Sequence, residues 1–185
     1  MNHWHLNQAV RALKSGGVIA YPTEAVYGLG CFPGNYQAVK RILCLKDRPM
    51  NKGLILVAAD ISQLEKYIIF PDESIRQRVI STWPGSVTWV LPARTDVPVW
   101  IRGDHDSVAV RVSNHVIVRE LCQKTGPLVS TSANPANCPP ARSALKVMIY
   151  FDRLIDYILP GNTGTNRTPT EIRDAMSGNI LRSGG

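Results

Sequence analysis

The chain is poor in the features that announce common chemistries. Its four cysteines, Cys31, Cys44, Cys122 and Cys138, form no C-x-x-C pair and have no histidine pair beside them. That pattern excludes an evident zinc site and a disulfide framework, and fits reduced thiols in a cytosolic protein. No apolar run approaches the ~18 residues that span a bilayer. Residues 1–16 are polar with helical spacing, so no signal peptide is expected. The phosphate-binding pattern G-x-x-x-x-G-K-[ST] is missing, and Gly28-Leu29-Gly30 lacks the third glycine of G-x-G-x-x-G. No G-x-S-x-G marks a nucleophile. The four histidines, His3, His5, His105 and His115, show no metal spacing and are expected at the surface. No repeat, low-complexity tract or linker breaks the chain, so 1–185 is expected to form one domain.

What is present is a basic, ordinarily hydrophobic chain. The 185 residues carry a formal net charge of +7 with 44% hydrophobic residues. Such a charge points to nucleic acid, nucleotides or other anions, or simply to a solvated basic surface. Arginine outnumbers lysine fourteen to seven. The guanidinium fork grips phosphate or carboxylate at two points, and many of these arginines lie beside turn residues.

Periodicity outlines a mixed α/β domain. Leu6, Val10 and Leu13 recur at helical spacing before Gly16-Gly17. Short apolar runs at 18–21, 54–58, 86–91, 107–112 and 128–131 suggest strands, and 157–159, 170–173 and 179–182 suggest late ones. Helical spacing covers 36–46, 64–68, 74–83, 143–151 and a helix from an Asn114 cap to about 124. Residues 102–106 read as a loop. Several strand-to-strand steps argue for a twisted mixed sheet flanked by helices.

Polar segments follow these strands, where a scaffold can hold a site. PTEAVYGLG (22–30) offers the Thr23 hydroxyl and two glycines that permit close backbone approach to a ligand; it is equally an ordinary turn. Lys46, Arg48 and Lys52 place three cations within seven residues, able to clamp a polyphosphate or merely to complement a helix C-terminus. Ser130, Thr131, Ser132 and Asn134 surround a turn with hydroxyl and amide groups, suited to phosphate or to local backbone bonds. Arg142 lies a few residues on. Arg111 interrupts the valines of 108–112, on the opposite face. If that face is covered, its guanidinium needs an anionic partner. Arg182 follows two apolar residues near position 185.

Taken together, PTEAVYGLG, KDRP (46–49) and STSAN (130–134), in that order, resemble the YrdC/TsaC family from Val18 through Arg182. The K-x-R then S-x-N signature falls on Lys46, Arg48, Ser132 and Asn134. The resemblance implies a single YrdC-like α/β domain with a basic concave surface. It implies an enzyme that forms threonylcarbamoyl-AMP and pyrophosphate from L-threonine, bicarbonate and ATP. Partner proteins would then move the threonylcarbamoyl group to tRNA. By position, Lys46 and Arg48 would be catalytic. Arg48, Lys52, Thr88, Ser132, Asn134, Arg142 and Arg182 would hold ATP. Thr23, Arg111, Ser130 and Thr170 would hold threonine. Mg²⁺ would travel with the nucleotide, since no carboxylate cluster is evident. Ala25 stands where many members have threonine, and Pro135-Ala136-Asn137 lacks the glycine often found after S-x-N. The extra C-terminal domain of longer members is not expected. An alternative is a module that binds double-stranded RNA, tRNA or rRNA on its basic face without turnover.

Overall fold

Strand residues that alternate between two apolar faces set the architecture. In the computed structural model, which describes residues 3–166, 168 and 170–184, the sheet has nine strands. They are β1 (Ile19–Pro22), β2 (Tyr27–Gly30), β3 (Ile55–Ala58), β4 (Val87–Pro92), β5 (Ser107–Val112), β6 (Leu128–Ser132), β7 (Tyr157–Ile158), β8 (Glu171–Asp174) and β9 (Ile180–Arg182). Their spatial order is β7-β1-β2-β6-β3-β5-β4-β8-β9. The pairs β1–β7, β3–β5 and β4–β8 are parallel and the others antiparallel. The expected mixed sheet is therefore present. Met1, Asn2, Arg167, Pro169 and Gly185, which fall within the expected domain, lie outside the described residues.

Helices α1 (His3–Lys14), α2 (Tyr36–Leu45), α3 (Glu73–Ile80), α4 (Val99–Arg102), α5 (Val116–Thr125) and α6 (Ala144–Phe151) surround this sheet. Local signals start three of them. The side chains of Asn35, Asp72 and Ser143 accept the N–H groups of Ala38, Ile75 and Lys146 at helix N-termini that would otherwise be unsatisfied.

Two apolar cores lie on opposite faces. One takes Val18 and Ala20 of the first strand region, Leu56 of β3, Trp89 and Leu91 of β4 and Val108, Val110 and Val112 of β5. The other takes Ile19 and Tyr21 of β1, Val57 of β3, Leu6, Ala9 and Leu13 of α1, and Ile117, Val118 and Leu121 of α5. Helices α1 and α5 thus cover one end of a sheet face. Residues of β4 and β5 on that same face, Val90, Ser107, Ala109 and Arg111, line a cavity instead. Ile55 belongs to both regions, packing against the α1–α5 core and lining the cavity.

Four local expectations need correction. PTEAVYGLG is not a continuous loop, because Tyr27–Gly30 pairs with β1 as an antiparallel strand. A Cβ on Gly30 would lie 2.6 Å from the Val129 carbonyl oxygen and 2.7 Å from the Tyr21 ring. Gly30 therefore permits close sheet packing, not ligand approach. Residues 64–68 form turns rather than a helix; Ile61–Gln63 is a short 3-10 turn and Ile68 bridges to Ala93. The segment read as a loop from 102 starts one residue later, because Arg102 closes the short helix α4. Finally, α5 begins after His115 with no side-chain cap, and the Ser113 hydroxyl accepts the His115 N–H at 3.1 Å in place of an Asn114 cap.

Candidate active site

A cavity of about 880 Å³ opens over the uncovered part of the sheet. Its cations come from four places: Lys46, Arg48 and Lys52 after α2, Arg102 at the end of α4, Arg111 on β5 and Arg182 on β9. Thr23, Ser130, Ser132, Asn134 and Thr170 supply hydroxyl and amide groups to the same walls. Of the twelve site residues expected from the sequence, ten line this one hollow.

The other two do not. Thr88 has the strand alternation of the cavity face, since Val90 two residues on lines the cavity. It is nevertheless fully buried, does not line the cavity, and leaves its hydroxyl unpartnered. Arg142 is exposed and is not among the lining residues.

Lys46 ends α2, and its ammonium points into the Ser132–Asn134 loop. Its Nζ donates to the carbonyl oxygens of Ser132 at 2.6 Å and Asn134 at 2.9 Å, and to Asn134 Oδ1 at 3.3 Å. Those acceptors use the three N–H groups of an ammonium. Lys46 therefore anchors the loop. Burial, and secondarily Arg48, lowers its pKa to about 8. Asn134 is used up in the same way: its Nδ2 donates to Pro135 O at 3.0 Å and to Cys138 O at 2.8 Å. Asn137 takes φ 59, so the loop turns without the glycine expected there.

Arg48 lies across the 3-10 turn Met50–Lys52, with Nη2 donating to Gly53 O at 2.9 Å. Its Nε is buried without a partner. Burial lowers its pKa. Arg182 donates from Nη2 to Thr170 O at 2.9 Å, and its pKa is lowered by burial and then by Arg111 and Arg48. Arg182 is thus repelled by both other guanidiniums, and an anion bound beside it would relieve that repulsion.

Arg111 does have the anionic partner its burial demands. Its Nη2 lies 3.2 Å from Glu24 Oε2, and both side chains are 5% exposed. Its Nη1 donates to Thr170 Oγ1 at 2.6 Å. Thr23 makes a local bond, donating from its hydroxyl to Val26 O at 2.8 Å. Ser130 sits under Gly28, where a Cβ would come within 3.2 Å of Ser130 Oγ. Here, unlike at Gly30, glycine keeps the cavity wall open.

A sequence profile of the Sua5/YciO/YrdC family, described as telomere recombination, matches residues 11–184. The chain belongs to that family. A threonylcarbamoyl-AMP synthase of Nitrosococcus oceani is 52% identical over 181 residues, covering 97% of this chain and 98% of that protein. The crystal structure of Pyrococcus abyssi Sua5 complexed with L-threonine superimposes with a TM-score of 0.92 at 34% identity, covering all of this chain and 55% of the Sua5 chain. The chain thus spans about half of that Sua5 protein. Escherichia coli YciO gives a TM-score of 0.84 at 26% identity over 97% of this chain and 88% of its own.

Within this Sua5/YciO/YrdC domain, three side chains near the site escaped the sequence. Glu24 is inside a quoted motif, but nothing in its spacing points to Arg111. Arg102 lines the cavity, with Nη1 donating to His105 O at 2.8 Å. An arginine ending a short helix before Gly103, whose φ is 69, is the one available signal. His115, expected at the surface, is half-buried, with its Nδ1 enclosed. Burial lowers its pKa, against the opposing pull of Glu24. Among the described residues no group of three His, Cys, Asp or Glu side chains could hold a metal ion. No described helix is long and apolar enough to cross a membrane.

Proposed function

We propose that this chain is a nucleotidyltransferase that forms threonylcarbamoyl-AMP and pyrophosphate from L-threonine, bicarbonate and ATP. The observation that carries this reading is the convergence of Arg48, Arg111 and Arg182 on one cavity with Ser130, Ser132 and Thr170. The family membership and the names of its relatives support the same activity.

The chemistry asks mainly for placement. Threonine binds with its carboxylate on the free N–H groups of Arg111, near Ser130, Thr170 and Thr23. The threonine amine and bicarbonate give a carbamate and water. A carbamate oxygen attacks the α-phosphorus of ATP, and the bond to pyrophosphate breaks. Because the carbamate is already anionic, no strong base is required at that step. Arg48, Lys52 and Arg182 hold the phosphates and stabilise charge on the departing pyrophosphate. Lys46 keeps the Ser132–Asn134 wall in place while this happens.

Asp47 and Asp174 line the cavity, but they do not make a metal cage with a third acid. Mg²⁺ would be bound by the ATP phosphates and water, and no step here depends on a protein-held ion. The product is an activated acyl phosphate, to be passed to proteins that modify tRNA in the cytoplasm.

The decisive experiment measures pyrophosphate release with ATP, with and without threonine and bicarbonate. Release that requires both co-substrates is expected. Release that ignores them, or none at all, removes this function and leaves an RNA-binding module as the account of the charge.

A further inference from the structure

We propose that Glu24 divides the cavity, holding Arg111 for a carboxylate and keeping it away from the phosphates. The inference rests on the function proposed above and concerns how one hollow sorts two anions.

The division is needed because the cavity is crowded with cations. Six line it, against Asp47 and Asp174. A triphosphate carries several negative charges and threonine's carboxylate only one. By charge alone, the nucleotide wins every guanidinium it can reach. Arg182 feels both Arg111 and Arg48, so Arg111 lies next to the phosphate-binding cations.

Glu24 changes the competition at Arg111 in two ways. It neutralises the guanidinium from behind through the 3.2 Å Nη2–Oε2 contact, which weakens the pull on a polyanion. It also fixes the guanidinium in place, together with the Thr170 hydroxyl that accepts from Nη1 at 2.6 Å. The remaining donors keep a fixed direction, suited to a carboxylate that needs hydrogen bonds more than net charge.

The carboxylate cannot follow Arg111 outward, because it is held in turn. Its Oε1 accepts the Ser113 hydroxyl at 2.5 Å. Ser113 Oγ accepts the His115 N–H at 3.1 Å, so the serine proton is directed at Glu24. On the other side, the Glu24 carbonyl accepts the Asn166 N–H at 3.2 Å. A Cβ on Gly164 would lie 2.5 Å from that same carbonyl oxygen, so the overlying segment lies tight on Glu24. Glu24 touches neither reacting group and acts as a positioning residue.

The test is calorimetric titration of the full chain with inorganic pyrophosphate and, separately, with L-threonine. Glu24→Gln keeps the shape and removes the charge. Threonine binding is expected to weaken about tenfold while pyrophosphate binding tightens about tenfold. A residue needed only for folding would weaken both. Affinities that fall together, or that do not change, overturn the proposal. Should Glu24→Gln fail to fold, Ser113→Ala carries the test by loosening Glu24 with its charge intact. Threonine should then bind about threefold more weakly with pyrophosphate unaffected; equal weakening of both overturns the idea. A wild-type chain that binds neither ligand brings down the proposed function as well. A wild-type chain that binds both, with variants shifting both in one direction, removes only the role of Glu24.

Discussion

The two ends of one sheet face have opposite fates. At one end, β1 and β3 present Ile19, Tyr21 and Val57, and α1 and α5 close over them with leucine, isoleucine and valine. At the other, β4 and β5 present Val90, Ala109 and Arg111, and the space above is left to cations and hydroxyls. Both ends are built from strands of the same sheet. What differs is whether a helix covers the strands, and that decides whether a residue works for stability or for binding.

Substitutions at the two ends should therefore fail in different assays. The largest effect is expected from Leu121→Ala in α5, a fully buried side chain. It should cost about 3 kcal/mol in denaturant unfolding while activity per folded molecule stays near normal. Arg48→Ala in the open half should do the reverse. A fall of about 10²-fold in kcat is expected, with little change in the unfolding midpoint. Near-normal turnover would remove Arg48 from the phosphate role. Gly30→Ala lies in the covered half, where a methyl group meets Tyr21 and the Val129 carbonyl. A loss of about 2 kcal/mol of stability is expected, read as a lower thermal midpoint.

The smallest effect concerns pH. The Lys46 pKa is lowered from 10.5 to about 8. As pH rises through 8, the folded chain loses this proton while the unfolded chain keeps it up to about 10.5. Over that window the group makes folding more favourable, because the unfolded state binds more protons. Its hold on the Ser132–Asn134 loop weakens over the same window, since the neutral amine has one N–H fewer. ATP affinity should fall modestly above pH 8 in the wild type and stay flat in Lys46→Met. A flat wild-type profile would deny the loop this dependence on Lys46.

Side-chain alternation made part of this comparison legible beforehand. The valines at 108, 110 and 112 set Arg111 on the other face, where it is found. The cations and hydroxyls of KDRP and STSAN were readable as residue types, and both segments do line the cavity. Their partners were not readable. Lys46 is held mostly by carbonyl oxygens, which carry no mark in a sequence. Glu24 finds Arg111 only once the β1–β2 turn meets β5, and Ser113 joins it from 89 residues away. Strand β2 was hidden by its glycines, which have little strand preference and pair here because close packing requires them. Thr88 shows the limit of alternation, which gives the face of a side chain but not the depth of cover above it.

The parallel pairing of β8 with β4 also orders events in time. Thr170 and Arg182 arrive with the last two strands of the sheet, long after Arg48 and Arg111 have been synthesised. Such distant contacts form slowly. A chain that has not yet docked Glu171 against Val87 therefore has the α1–α5 core but neither the Ala175 contact of the other core nor a completed pocket.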